Sequence, residues 1–147
     1  MGNRFRIDAK RKTKGGKIMI AIRPYRTEDL RSIISLLKTE GWTTLAADPK
    51  RFDQAMKGSA PALVAVKDGM ISGYIRCITD KVITLLVAEL LVADSLRGQG
   101  VGGRLLQEAH DLFPSTRMEM LATSTSKSYY EQKKFRPFYG FRKTYAE

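Results

Sequence analysis

Three glycines and an arginine stand close together in Arg97-Gly98-Gln99-Gly100-Val101-Gly102, the segment best suited to chemistry. We call residues 97–102 the glycine loop. The apolar run before it predicts a strand, and the apolar residues after it recur at helical spacing. Backbone N–H groups at the start of a helix have no partner within the helix, so they form a site for anions. Because glycines let a phosphate approach the backbone closely, the segment predicts a phosphate-binding loop.

Two well-known phosphate loops fit this segment less well. Gly98, Gly100 and Gly103 have the glycine spacing of the Rossmann fingerprint, but several strands precede them and no strand with a terminal acid follows at the expected distance. A P-loop needs Lys-Ser or Lys-Thr after its last glycine, and none is present. The pattern that remains is Arg97-x-x-Gly100-x-Gly102.

The elements that must position this loop can be predicted from apolar periodicity and from turn residues. Strands are predicted over 19–23, 62–66, 70–78, 82–92, 118–122 and 138–145. Helices are predicted from Thr27 to Gly41, from Asp48 to Gly58, from Val101 to Leu112 and from the caps at 123–125 to Lys134. Hairpins come first and a βαβ crossover follows, so we expect an α+β or mixed α/β fold.

The remaining glycine pattern resembles R/Q-x-x-G-x-G/A, the pyrophosphate-binding motif of the GNAT (acetyl-CoA-dependent N-acetyltransferase) superfamily. The resemblance extends over residues 19–145, because the order of helices and strands is also similar. It implies a central, mixed, mostly antiparallel sheet that is splayed between strands 4 and 5 and flanked by helices. Residues 19–147 would then form a single GNAT-like domain.

A second segment carries the resemblance towards the C-terminus. Residues 130–137, YEQKKFRP, are similar to Y-E-K-x-G-F-R-P at the end of the family's last helix. Lys134 stands where the family has glycine, so we expect this helix to end without its usual left-handed residue. An alternative register aligns Gly140-Phe141-Arg142 with the family's G-F-R and leaves the tyrosine assignment open.

The resemblance implies acetyl-CoA (coenzyme A) as co-substrate and no metal. Leu91 and Val92 would pair through their backbone with the pantetheine arm, and the glycine loop would hold the pyrophosphate. Arg104 would reach a phosphate from the first helical turn. Leu91 and Val92 are equally typical of a plain core strand, since only backbone groups are used.

Tyr130 matches the family's general acid, which would protonate the departing thiolate. The alternative is an ordinary tyrosine of an amphipathic helix, and the neighbouring Tyr129 should point elsewhere. Glu89 interrupts an apolar strand and could deprotonate the incoming ammonium if it faces a cleft; otherwise it faces solvent. The reaction would be direct transfer, with the oxyanion stabilised by a backbone N–H near Val92. Direct transfer needs no covalent intermediate, which agrees with the absence of a convincing nucleophile, since Cys77 lies on the wrong strand.

The composition sets wider expectations. Seven basic residues and one acid among residues 1–18 predict a basic flexible tail. A single cysteine and the lack of a membrane-length apolar run favour a cytoplasmic protein without a membrane partner. The acceptor is expected to be a small-molecule or peptide amine. One alternative is a nucleic-acid-binding module that uses the tail, although the sequence contains no known nucleic-acid recognition motif. The other is an inactive acyl-CoA-binding relative of the family. The acceptor's identity, the acyl chain length and a homodimer are left open.

Overall fold

The computed structural model describes residues 19–147, and the predicted tail over residues 1–18 lies outside this range. Five strands form one sheet in the order β1-β2-β3-β4-β5. The strands are β1 Ile20–Pro24, β2 Ala62–Lys67, β3 Met70–Thr79, β4 Thr84–Val92 and β5 Arg117–Met120. The helices are α1 Leu30–Thr39, α2 Thr43–Ala46, α3 Pro49–Lys57, α4 Val101–Asp111 and α5 Lys127–Gln132.

The sheet opens between β4 and β5. Strands β1 to β4 are antiparallel neighbours, whereas β5 runs parallel to β4 and pairs with it only from Thr84 to Val87. A bulge lies directly beyond this point, because Cys77 pairs with Val87 while Arg76 pairs with Glu89. Residues 88–92 of β4 therefore have an edge that β5 does not cover. This is the predicted α+β fold, with its splay between strands 4 and 5.

Helices cover both faces of the sheet. On one face α1, α2 and α3 pack against the buried side chains of Val64, Tyr74 and Leu91. On the other face α4 packs through Leu105 and Ala109 against strand residues that alternate with the first set. Successive side chains of β2 to β4 thus point alternately into two separate cores, one on each face of the sheet, and β4 lies between the two cores.

Side-chain caps and turn residues fix the connections. The Asp48 carboxylate accepts a hydrogen bond from the Arg51 N–H at 3.1 Å and begins α3, as its cap-plus-proline sequence predicts. Asp68 and Gly69 both adopt positive φ in the β2–β3 turn. Asp80 accepts hydrogen bonds from three following N–H groups, so β4 begins at Thr84, two residues later than predicted.

The predicted closing strand over residues 138–145 is wrong. This segment follows α5 without forming a ladder, and its Phe138 and Phe141 side chains are 85% and 96% exposed. A side chain on Gly140 would collide with Leu121, so the segment passes close to the end of β5. β5 has only four residues, and aromatic composition alone does not make a strand where no partner edge of matching length is available.

Candidate active site

The glycine loop lies between the end of β4 and the start of α4. A short turn over Asp94–Leu96 connects them, and the buried Leu96 side chain anchors it in the core. Gly98 and Gly100 have φ of +74° and +82°, a region that L-residues adopt at a cost. A Cβ at either position would have nothing within 4 Å, so the loop surface is open. With the unpaired N–H groups of the first turn of α4, this surface fits a phosphate.

Arg97 is bound within the protein. Its guanidinium donates to a Glu40 oxygen at 2.6 Å, to an Asp94 oxygen at 3.1 Å and to the Val92 carbonyl at 3.2 Å. The neighbouring Gln99 donates to the Ser95 carbonyl. The two polar side chains of the loop thus stabilise its backbone, and Gly98 and Gly100 border open space.

Arg104 points away from the loop. Its Nη1 donates to the Ile20 carbonyl of β1 at 2.7 Å, and its Nη2 lies 3.5 Å from a Glu108 oxygen. Both contacts lie on the flank of α4. The structure therefore places Arg104 apart from Arg97 and the glycines, although all lie within eight residues of sequence.

The backbone predicted to receive the pantetheine arm lies on the open part of β4. Leu91 is buried under α1 and α3, and Val92 packs on the opposite face beneath α4 and α5. Neither side chain is needed to bind an extended ligand, because an uncovered strand edge offers N–H and C=O groups directly. The Val92 carbonyl already accepts from Arg97, but a carbonyl oxygen has two lone pairs.

Glu89 does not face solvent. One carboxylate oxygen accepts a hydrogen bond from Nε of Arg76 at 2.7 Å, and the other accepts one from Nη2 of the same residue. The Glu89 side chain is only 9% exposed. Arg76 also donates to the Ser59 hydroxyl, which joins this ion pair to the end of α3. The pair lies beside the β4 bulge, on the face covered by α1 to α3. This arrangement accounts for a charged residue in an apolar strand: the charge is neutralised and hydrogen-bonded.

Tyr74 lies on the same face as this ion pair. Its ring packs edge-to-face against Phe52 at 5.8 Å, and its hydroxyl is buried with no hydrogen-bond partner among the described residues. Burial raises the pKa of Tyr74 well above its usual value, and the nearby Glu89 charge adds to the shift. The phenol therefore stays neutral. Burial also raises the pKa of Cys77 to about 12, which leaves its thiol unsuited to nucleophilic attack.

The two tyrosines of α5 occupy different places. The point that a Cβ on Gly102 would occupy lies 2.6 Å from the Tyr129 hydroxyl and 3.7 Å from a Val92 methyl group. Tyr129 therefore lies over the first turn of α4, against the end of β4. Tyr130 stacks edge-to-face on Phe135 at 5.6 Å and packs against the core. Burial raises the pKa of Tyr130 to about 12, with a smaller contribution from Tyr129.

The end of α5 has a left-handed residue at the position where the family has glycine. Lys134 has φ of +65°, so the helix does end with a left-handed residue although no glycine is present. The expectation that this conformation would be lost is wrong. The N–H groups of Lys133 and Lys134 still bond back into the last turn of α5, and this holds the strained residue in place.

Sequence reasoning missed three residues of this region: Glu40, Arg76 and Tyr129. Glu40 is 57 residues from Arg97 in sequence, and Arg76 is 13 residues from Glu89. Only the hairpin pairing of β3 with β4 could have signalled one of them, because it puts Arg76 opposite Glu89. Tyr129 is adjacent to the residue chosen, and periodicity alone could not rank the two.

A cavity among the described residues lies away from the glycine loop. It has a volume of about 460 Å³ and is lined by Tyr25, Met56, Leu63 and Phe113, among others, at the end of the sheet where β4 begins. It is an open depression next to the C-terminal end of α4, so the glycine loop at the other end of this helix has no part in it. Within residues 19–147 no cluster of metal-ligating side chains occurs. No helix in this range is long and apolar enough to cross a membrane.

Residues 23–146 match the acetyltransferase (GNAT) domain family. The chain belongs to the GNAT family. Its fold also matches a GNAT-family acetyltransferase from Streptococcus pneumoniae, with a TM-score of 0.72 and 22% identity over 89% of this chain and all of the other. Among curated proteins none matches the chain.

Two further structures share this GNAT fold. One is a glucosamine-6-phosphate N-acetyltransferase from Arabidopsis thaliana, with a TM-score of 0.65 and 16% identity over 88% of this chain and 99% of the other. The other is PaiA N-acetyltransferase from Thermoplasma acidophilum in complex with coenzyme A, with a TM-score of 0.58 and 18% identity over 79% and 89%. At these identities the similarity concerns the fold.

Proposed function

We propose that this GNAT protein transfers an acetyl group from acetyl-CoA to a primary amine of a small molecule or peptide. The observation that carries the proposal is the juxtaposition of the glycine loop with the open edge of β4. An anion site and an uncovered strand edge meet at Val92, so a ligand with a pyrophosphate and an extended amide-containing arm can use both.

On the cofactor side, N–H groups of residues 98–102 would bind the pyrophosphate, and residues 91 and 92 would pair with the pantetheine arm. Acetyl-CoA would supply an activated acyl group as a thioester. The residues of the chain then have three tasks: to hold this group beside β4, to stabilise developing charge, and to manage protons. A backbone N–H of β4 near Val92 serves the second task.

We assign the proton steps to Tyr130 and Glu89. The pKa of Tyr130, raised to about 12, keeps a proton on its hydroxyl at neutral pH, and that proton can be given to a leaving thiolate. Glu89 receives the proton of the incoming ammonium. Arg76 binds both carboxylate oxygens, but each oxygen keeps a second lone pair with which to accept a proton directly or through water.

Calorimetry of acetyl-CoA binding tests the proposal. We expect the wild type to bind with a Kd in the usual range of substrate KM values, about 1 μM to 1 mM, and Gly100→Glu to abolish binding, since the substitution puts a negative charge into the phosphate surface. Gly69→Glu is the matched control. Gly69 also has positive φ and open surroundings, but it lies in the β2–β3 turn, so this variant should bind normally.

The outcomes separate the alternatives. Absence of binding by the wild type rejects both the enzyme and an inactive acyl-CoA-binding relative, and it moves the nucleic-acid hypothesis forward. Binding without release of free thiol, across a panel of amines, favours the inactive relative. Binding with turnover supports the acetyltransferase and opens the search for its acceptor.

A further inference from the structure

A carboxylate from outside the glycine loop is attached to it at two points. Glu40 follows the last residue of α1, and its side chain is only 10% exposed. One of its oxygens accepts a hydrogen bond from Nη2 of Arg97 at 2.6 Å, and the other accepts one from the backbone N–H of Asp94 at 3.0 Å. Glu40 therefore binds both the turn that precedes the loop and the first residue of the loop.

Arg97 directs its donors to protein oxygens. Its three hydrogen bonds run to α1, to the Asp94 side chain and to the last carbonyl of β4. To reach a phosphate the guanidinium would have to leave these acceptors, and the largely buried Glu40 carboxylate would lose its countercharge. An unpaired, largely buried carboxylate is costly, so the ion pair of Arg97 with Glu40 is favoured, by a modest amount because Arg97 is half exposed.

We propose that Glu40 is a positioning residue for the cofactor loop, and that Arg97 fixes the loop through Glu40 instead of binding phosphate itself. This inference rests on the proposed function. The pair ties three elements together at one place: the end of β4, the turn over Asp94–Leu96 and the end of α1. It thereby keeps the loop's N–H groups directed outward before any ligand arrives, which lowers the ordering cost of binding.

Glu40 lies outside the glycine loop, at the end of α1, yet its carboxylate holds both Asp94 and Arg97. A change at Glu40 should therefore reach the glycine loop although the residue lies on another element.

The direction in which two substitutions change the acetyl-CoA Kd distinguishes a positioning role of Arg97 from direct contact with phosphate. If Arg97 acts through Glu40, then Glu40→Gln and Arg97→Gln should each raise the acetyl-CoA Kd about fivefold, a modest factor because Arg97 is half exposed. The double variant should then bind no more weakly than either single variant, because both remove the same interaction. If Arg97 binds phosphate directly, Glu40→Gln releases it and lowers the Kd, while Arg97→Gln raises it.

A second arginine–carboxylate pair provides the control. Arg23 binds Asp29 through two hydrogen bonds of 2.8 Å, just before the start of α1. Hydrogen bonds from this guanidinium lower the pKa of Asp29, so the pair is formed in its ionised state. Asp29→Asn should reduce the melting temperature without changing the Kd, because it weakens the other end of α1 and leaves the loop intact.

Melting temperatures of the ligand-free variants keep the inference separate from the proposed function. Glu40→Gln and Arg97→Gln should each lower the melting temperature by a few degrees, and the double variant by no more than one of them. If the wild type fails to bind acetyl-CoA, the proposed function fails while this cycle still measures the pair. Additive losses of stability, an unchanged Kd or a lower Kd in Glu40→Gln would each overturn the positioning role.

Discussion

At the scale of single residues, α5 presents two neighbouring tyrosines to different surroundings. Tyr129 lies over Gly102 in the first turn of α4, where a phosphate bound at the start of this helix would meet its hydroxyl. Tyr130 packs against Phe135 and the core, where burial keeps its phenol protonated. The two phenols can therefore have different roles, in which Tyr129 contacts the bound cofactor and Tyr130 supplies a proton.

We expect Tyr130→Phe to lower kcat about 100-fold, the usual contribution of a general acid, and to leave the acetyl-CoA Kd unchanged. Wild-type kcat should show no loss from Tyr130 as the pH rises to about 10, because a phenol with a pKa raised to about 12 gives up its proton only near that value. Steady-state kinetics and calorimetry measure the two quantities separately.

Tyr129→Phe is the matched control for this prediction. It removes a hydroxyl from the same helix and should raise the acetyl-CoA Kd about fivefold with little change in kcat, since a single neutral hydrogen bond is worth about 1 kcal/mol. If Tyr129→Phe lost the turnover and Tyr130→Phe kept it, the two assignments would have to be exchanged.

At the scale of elements, the strands were predictable where a hydrophobic period and a turn signal agree. β2, β3 and β4 meet this condition, and their predicted bounds differ from the observed ones by at most two residues. The strand over residues 138–145 fails because a strand also needs a partner edge, and sequence periodicity does not report partners. The prediction for the end of α5 fails because local hydrogen bonds of its last turn hold Lys134 in a conformation that its side chain disfavours.

The candidate site was predictable to the extent that it is local in sequence. The glycine loop is a continuous segment, so its glycines and the following helix could be recognised together. The contacts of Glu40 with Arg97 and of Arg76 with Glu89 join separate elements, and their geometry follows only from the folded sheet. Polar residues that position a site from another element leave no periodic signal.

The packing of β3 against β4 gives a prediction at this scale. A Cβ on Gly73 would lie 2.8 Å from the Leu91 carbonyl oxygen and 3.4 Å from the Val92 Cα, which are backbone atoms that cannot rotate away. Gly73→Ala should therefore push the two strands apart at the end of β4, ahead of the glycine loop. We expect a loss of about 1–3 kcal/mol in the free energy of unfolding, measured by urea denaturation, together with weaker acetyl-CoA binding.

Gly58→Ala tests whether this effect is specific to the sheet. Gly58 ends α3 at an ordinary φ of −81°, and a Cβ there would lie 3.3 Å from its nearest neighbour, the Gln54 carbonyl oxygen. This variant should change the free energy of unfolding by less than about 1 kcal/mol and leave the Kd as it is. Equal losses in both variants would show that glycine replacement itself, and not strand separation, reduces stability.

At the scale of the whole molecule, the net charge of +11 is unevenly distributed, since seven of the 26 basic residues lie within residues 1–18. In the proposed function, the groups that bind the cofactor lie in residues 91–102 or on α5. The GNAT family match likewise begins at residue 23. The acetyltransferase and nucleic-acid hypotheses therefore depend on different parts of the same chain, and removal of one part separates them.

We predict that a protein lacking residues 1–18 will bind acetyl-CoA with a Kd within about twofold of the full chain, and that turnover on a small amine will persist. Any affinity of the full chain for a nonspecific DNA duplex should fall on the same truncation and should decrease steeply with salt, because contacts between basic residues and phosphates release counterions. Calorimetry and fluorescence anisotropy, each at two salt concentrations, measure the two affinities.

A truncated protein that loses acetyl-CoA binding while its melting temperature is unchanged would assign the tail to the cofactor site, because its positive charge then adds to the anion surface of the glycine loop. A full chain that binds DNA at physiological salt and does not bind acetyl-CoA would instead give the nucleic-acid function precedence over the GNAT chemistry.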